Sequence, residues 1–112
     1  MNIQIFGTKK CSDTKKTERF FKERNIKFQS IDLNVKGFAK GELQRITKKL
    51  KADDLLDKEG KPFQNSQYKY MQVDAFELIL EKPEFTKTPV VSNGPESTVG
   101  YCPEVWEKWI KK

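Results

Sequence analysis

Residues 5–33 read "IFGTKKCSDTKKTERFFKERNIKFQSIDL", and the pattern changes twice along that stretch. The chain enters it through "NIQIF" (2–6), where polar and apolar residues alternate with the period of a half-buried strand. Gly7 to Lys10 break the alternation and read as a loop. Ser12 or Asp13 then offers a side-chain oxygen to cap a helix. That helix is expected to run to about Asn25, with Thr14, Thr17, Phe20 and Phe21 on its inner face. "IKFQSIDL" (26–33) carries β-branched and aromatic residues with no breaker before Asn34, and returns to a strand. Strand, helix and strand within about 30 residues make a βαβ unit with its two strands parallel.

The rest of the chain has another rhythm. Gly37 marks a loop. Leu43, Ile46 and Leu50 then recur at helical spacing and predict a helix over about 40–51. Its start carries Ala39 where a capping side chain is expected, a deficit of about 1 kcal/mol. "DKEGKPF" (57–63) reads as a turn. Val73, Phe76, Ile79 and Leu80 form a further helical stripe stopped by Pro83. "TPVVS" (88–92) and "STVGY" (97–101) flank "NGPE" and read as a hairpin. Pro103 suits the first position of a last helix, with Val105, Trp106, Trp109 and Ile110 as its apolar face. Glu104–Lys108 and Glu107–Lys111 are spaced to support that helix as i,i+4 pairs. The expected architecture is α/β: a mixed four-stranded sheet flanked by helices. It forms a single domain over 1–112, with a helical insert at about 34–84.

Composition narrows the chemistry. The chain has 112 residues and a formal charge of +6, from 22 basic and 16 acidic side chains. The arginines are Arg19, Arg24 and Arg45 alone, so the positive excess is lysine. A mixed lysine-rich surface chiefly keeps a protein in solution, and nucleic-acid binding is disfavoured without a clustered, arginine-bearing face. No apolar run is long enough to span a membrane, and "MNIQIFG" lacks the pattern of a secretory signal. The expected location is therefore the cytoplasm, where two cysteines argue for free or catalytic thiols. There is no histidine, which excludes Cys–His and Ser–His catalysis. No residue spacing suggests a metal site.

What chemistry remains centres on Cys11, at the junction of the first strand and first helix. Unpaired backbone N–H groups and the positive end of the helix dipole favour thiolate there. Lys9, Lys10, Lys15 and Lys16 surround it. Such settings lower a thiol pKa from about 8.5 to roughly 3.5–7.5. The thiolate is the nucleophile in disulfide exchange, so Cys11 is the candidate catalytic residue. A buried inert cysteine fits poorly between polar flanks, although the lysines can equally do no more than solvate a helix end. Thr14 stands where a Cys-x-x-Cys motif would place its second thiol. Cys102, in "VGYCPEVW", is either a resolving thiol distant in sequence or a half-buried spacer beside aromatics. In "KTPVV" (87–91), proline at the start of a strand requires an edge position or a special turn.

Together these segments resemble the arsenate-reductase-like family of the thioredoxin-like superfamily, which includes ArsC, Spx and YffB-type proteins. The resemblance runs through residues 5–33, "LLDKEGKPF", "ILEKPEFTKTPVV" and "STVGYCPEVWEKW". It implies a thioredoxin-like fold, a cis Pro89 facing Cys11, and a thiol–disulfide oxidoreductase with one nucleophilic cysteine. Thr88 and Pro89 would shape the docking groove. Lys10, Thr14 and Lys15 would stabilise the thiolate or bind substrate. No bound cofactor is implied; glutathione or another thiol would be the co-substrate, with a small thiol, a protein disulfide or glutaredoxin as partner. The departures are informative. Family members that reduce arsenate hold the oxyanion with arginines, whereas Asp57 and Thr88 stand at two of those positions here, Cys102 or its neighbour at a third, and Gly7 replaces a histidine. The resemblance therefore implies a retained scaffold and a lost arsenate site. The competing reading is an Spx-like regulator that docks RNA polymerase without turnover, although such proteins usually carry Cys-x-x-Cys and an arginine before the proline.

Overall fold

The structure, a computed structural model, describes residues 2–111. The first βαβ unit consists of β1 (Ile3–Gly7), α1 (Ser12–Glu23) and β2 (Phe28–Asp32). The insert follows as α2 (Lys40–Ile46), α3 (Ala52–Leu55), α4 (Lys61–Gln64), a 3-10 turn (Gln67–Tyr70), α5 (Ala75–Glu81) and a second 3-10 turn (Pro83–Phe85). The chain closes with β3 (Val90–Asn93), β4 (Glu96–Val99) and α6 (Pro103–Ile110). The sheet has the expected four strands in the order β2-β1-β3-β4. β1 runs parallel to β2 and antiparallel to β3, and β3 and β4 form the hairpin.

Strand alternation sends neighbouring side chains to opposite faces, and each face carries its own core. Ile3, Ile5 and Val91 pack with Phe20 and Phe21 of α1 and Trp106 and Trp109 of α6. Phe6, Ile31 and Val90 pack with the insert, through residues such as Leu43, Leu55 and Ile79. The buried Trp106 indole N–H donates to Thr98 Oγ1 at 2.9 Å, which ties α6 to β4. Gly7 ends β1 on the α1 side and pairs with Asp32 of β2.

Several local expectations change. Neither Ser12 nor Asp13 caps α1: Cys11 is its N-cap residue, and α1 ends at Glu23 before Asn25 turns to φ 57°. β2 is shorter than the apolar run that announced it. α2 stops at Ile46 because the Thr47 hydroxyl bonds back to the Leu43 and Gln44 carbonyls and the chain loosens into turns. Ala39 has no side chain to cap α2, yet Glu42 Oε1 reaches back to accept the Ala39 N–H at 2.9 Å, supplying half of a capping box. Part of "DKEGKPF" is helical, in α4. Val105 is exposed, while Trp106, Trp109 and Ile110 pack into the core on this face of the sheet. Among the described residues the ion pair is Arg24–Glu107, at 3.5 Å; Glu107 is directed to α1, and the i,i+4 pairs of α6 do not form.

Candidate active site

The site begins where β1 delivers the chain to α1. The loop after Gly7 closes tightly, with the Cys11 N–H donating to the Thr8 carbonyl at 3.2 Å. Cys11 is extended, at φ −83° and ψ 116°, and its carbonyl accepts the Lys15 N–H at 3.3 Å. Its sulfur stands where the oxygen of a Ser, Thr or Asp cap would, without a capping hydrogen bond, and the N–H groups of Thr14 and Asp13 help to lower its pKa.

Burial alone would raise the Cys11 thiol. The Thr14 hydroxyl, the Thr88 hydroxyl and the backbone N–H groups of Thr14 and Asp13 outweigh it, and hold the pKa below the ordinary thiol value. All four donate to a thiolate better than to a thiol. Lys10 and Lys15 are exposed and stand outside this set of donors. The Thr14 side chain is itself buried, at 4 % exposure, and its Oγ1 forms no hydrogen bond of good geometry around the neutral thiol. That hydroxyl lies within bonding reach of the Cys11 sulfur, so ionisation of the thiol provides the acceptor it lacks.

The opposite wall is the segment entering β3. The Thr88–Pro89 peptide is cis, and Cys11 Sγ lies 3.7 Å from the Thr88 carbonyl oxygen. The insert holds this segment in place: Lys87 N–H donates to Leu55 O at 2.7 Å, Leu56 bridges to Thr86, and Asp57 N–H donates to Phe85 O at 2.8 Å. From the other side, Gly100 N–H donates to Pro89 O at 2.8 Å. Asp57 therefore sits on the strap supporting the Thr88–Pro89 wall. None of the three arginines joins that wall. Arg19 and Arg24 lie at the far end of α1 beside Phe20 and Tyr101, and Arg45 is in the last turn of α2. A cavity of about 370 Å³ adjoins the site on the β2 side, lined by Thr8, Lys9, Thr14, Lys15, Glu18 and Asp32 among others.

Cys102 is the N-cap residue of α6. It packs against the core of Ile3, Ile5 and the two tryptophans, and its Sγ lies 3.4 Å from the Val99 carbonyl oxygen. Burial first, and then the Glu104 carboxylate, push its thiol above the ordinary value. Both cysteines are free. The structure thus gathers Cys11, Thr14, Thr88 and Pro89 into one site, leaves Lys10 and Lys15 at its exposed rim, and engages the Cys102 sulfur elsewhere. Sequence reading expected unpaired backbone N–H groups at this spot, that of Asp13 among them, but missed that the Asp13 side chain makes no cap. It also missed the role of Gly7: a Cβ there would fall 2.3 Å from Thr14 Oγ1. Glycine closing an apolar strand just ahead of the cysteine loop was the available signal. Among the described residues no three His, Cys, Asp or Glu side chains group as metal ligands, and no helix is long and apolar enough to cross a membrane.

Comparison with known proteins agrees with this arrangement. The model of the ArsC family matches residues 6–109. The YFFB protein superposes with a TM-score of 0.82 at 24% identity, over 95% of this chain and 96% of its own. An arsenate reductase (ArsC) related protein from Brucella melitensis is 27% identical over 100% of this chain and 97% of its own, with a TM-score of 0.67. The glutaredoxin-like protein NrdH-redoxin from Escherichia coli shares the fold, with a TM-score of 0.51 at 18% identity over 96% of this chain and 93% of its own. No curated protein sequence matches the chain. With its cysteine at the mouth of the first helix and a cis-proline wall opposite, the chain belongs to the ArsC family and has a thioredoxin-like fold that fits a thiol–disulfide oxidoreductase.

Proposed function

We propose that the protein is a monothiol reductase of disulfides, with Cys11 as its nucleophile and an external thiol such as glutathione as its reductant. The observation that carries this reading is the placement of a partly exposed Cys11 at the N-cap of α1, its sulfur 3.7 Å from the Thr88 carbonyl oxygen, where its thiol is held below the ordinary value. Cys11 thiolate attacks one sulfur of a disulfide R–S–S–R′. The S–S bond breaks, R′ leaves as a thiolate, and Cys11 is held in a mixed disulfide with R. The partly exposed Thr88, ahead of the buried Pro89, guides the incoming disulfide. A second thiolate then attacks the sulfur of R and releases Cys11 as the thiolate. That attack leaves R in a disulfide with the external thiol. A second external thiol attacks this disulfide and frees R as a thiolate, so the two electrons delivered to the substrate come from the two external thiols, which end as a disulfide.

Glutathione, or glutaredoxin acting on the mixed disulfide, supplies the second step in this scheme, because Cys102 is engaged with the Val99 carbonyl and its pKa is raised. The absence of arginine from the Thr88–Pro89 wall argues against arsenate as the substrate, since a bidentate guanidinium clamp is what an oxyanion requires. The reading is tested with a glutathionylated peptide as substrate, glutathione as reductant, and glutathione reductase with NADPH to follow turnover. Turnover lost in Cys11→Ser and retained in Cys102→Ser is expected. Turnover unchanged in Cys11→Ser would overturn the proposal.

A further inference from the structure

The approach of α1 to the end of β1 leaves no room for a side chain at position 7. A Cβ there would lie 2.3 Å from Thr14 Oγ1, 2.4 Å from Thr14 Cγ2 and 2.9 Å from Thr14 Cβ. Real atoms do not approach so closely, so any residue but glycine must displace Thr14. Gly7 is not in a left-handed conformation and does not follow a tight turn; it is an ordinary strand residue, hydrogen-bonded in register opposite Asp32. Its lack of a side chain is therefore explained by close packing and not by backbone freedom. The packing it permits buries a hydroxyl that has no hydrogen-bond partner, like those of Thr86 and Ser97 elsewhere. A threonine stowed against glycine merely to fill space would do better as valine. A group that can use this hydroxyl is the Cys11 sulfur, three residues earlier at the N-cap of the helix.

We infer that Gly7 is a positioning residue for the nucleophile: its missing side chain is the seat in which Thr14 is held with its hydroxyl turned toward Cys11 Sγ. Gly7 touches neither the sulfur nor an incoming disulfide, and acts only through Thr14. The seat also fixes which residue types the site accepts. A histidine at position 7 and a threonine at position 14 exclude one another in this backbone, so a site built around one forgoes the other. This inference rests on Cys11 being a thiolate nucleophile.

The thiol titration of Cys11, followed by thiolate absorbance in a Cys102→Ser background, distinguishes a positioning role from a merely structural one. Gly7→Ala is expected to raise the Cys11 pKa by about one unit, the shift expected on losing a hydrogen bond to a charged group. Thr14→Ala is expected to do the same. Gly7→Ala combined with Thr14→Ala should titrate like Thr14→Ala alone, because the intermediary is already gone. Where Gly7→Ala alone does not fold, the double variant with Thr14→Ala is expected to fold, and failure of both to fold would overturn the inference. So would an unchanged pKa in folded Gly7→Ala, or an equal further rise when Gly7→Ala is added to Thr14→Ala. A parent thiol that titrates at the ordinary value would instead overturn the proposed reductase function.

Discussion

Replacing Thr14 by valine should make the protein more stable and its cysteine less acidic, and the balance between the two should depend on pH. Valine keeps the shape of the side chain and removes the hydroxyl. In the thiol form of the site that hydroxyl is buried without a partner, a situation that costs about 1–3 kcal/mol. Thr14→Val should therefore gain about 1 kcal/mol under acidic conditions, or roughly 4–8 °C in Tm for a domain near 100 residues. In the thiolate form the hydroxyl donates to a charge, a bond of about 1.5–3 kcal/mol. One side of Cys11 is open to water, which screens the interaction, so the low end applies and the pKa rises by about one unit. A thiol with a lower pKa in the folded than in the unfolded chain adds stability that is complete above the unfolded value near 8.5. That stability is lost as the pH falls through the folded value. Thr14→Val shrinks this contribution by about 1.4 kcal/mol for one unit, so its advantage should disappear as the pH rises. Urea unfolding in a Cys102→Ser background, with reductant, at about pH 5 and again at about pH 9 reads both effects. A variant less stable than the parent at pH 5, or one whose advantage is the same at both pH values, would refute the reasoning.

Arsenate reduction should be absent or marginal with glutathione and glutaredoxin supplied, and Asp57→Arg with Thr88→Arg should strengthen arsenate binding in isothermal titration, because Asp57 lies on the strap behind the Thr88–Pro89 wall. Unchanged binding in that double variant would show that the two positions do not face a common oxyanion. Iodoacetamide at neutral pH should modify Cys11 well before Cys102, as mass spectrometry of the digested protein would report, because one thiol is lowered and the other raised; raising the pH should narrow the difference. Trp106→Ala should cost about 3–5 kcal/mol in urea unfolding, since the indole is buried and holds Thr98, whereas Arg24→Ala should cost under about 1 kcal/mol because its pairing with Glu107 is exposed.

What could be read from the sequence follows the strength of the local signals. The βαβ unit was legible because Ile3, Ile5 and Phe6, then Thr14, Thr17, Phe20 and Phe21, repeat at the periods of a strand and a helix, and all of them are buried. The hairpin around Gly94 and the last helix behind Pro103 were legible from turn and cap chemistry. The insert was not. Leu55, Leu56, Phe63 and Phe85 are buried core residues, but they lie in helical pieces of a turn or less and in a 3-10 turn, where no period accumulates and only the completed tertiary packing shows which side is inward. At the site, the position of Cys11 followed from the strand-to-helix junction. The backbone N–H groups of the helix start and the Thr14 hydroxyl were expected beside its sulfur as well, whereas Thr88, 77 residues away in the chain, came into the site only through the family resemblance. The surrounding lysines suggested a positive field, whereas the structure lowers the thiol through hydrogen bonds.

The central claim is that the chain folds so as to hold Cys11 as a thiolate. Its most direct test is the ultraviolet absorbance of the thiolate against pH in Cys102→Ser. The account predicts a single transition clearly below the ordinary thiol value of about 8.5, absent when Cys11 is replaced by serine. A transition at about 8.5 or above would contradict it.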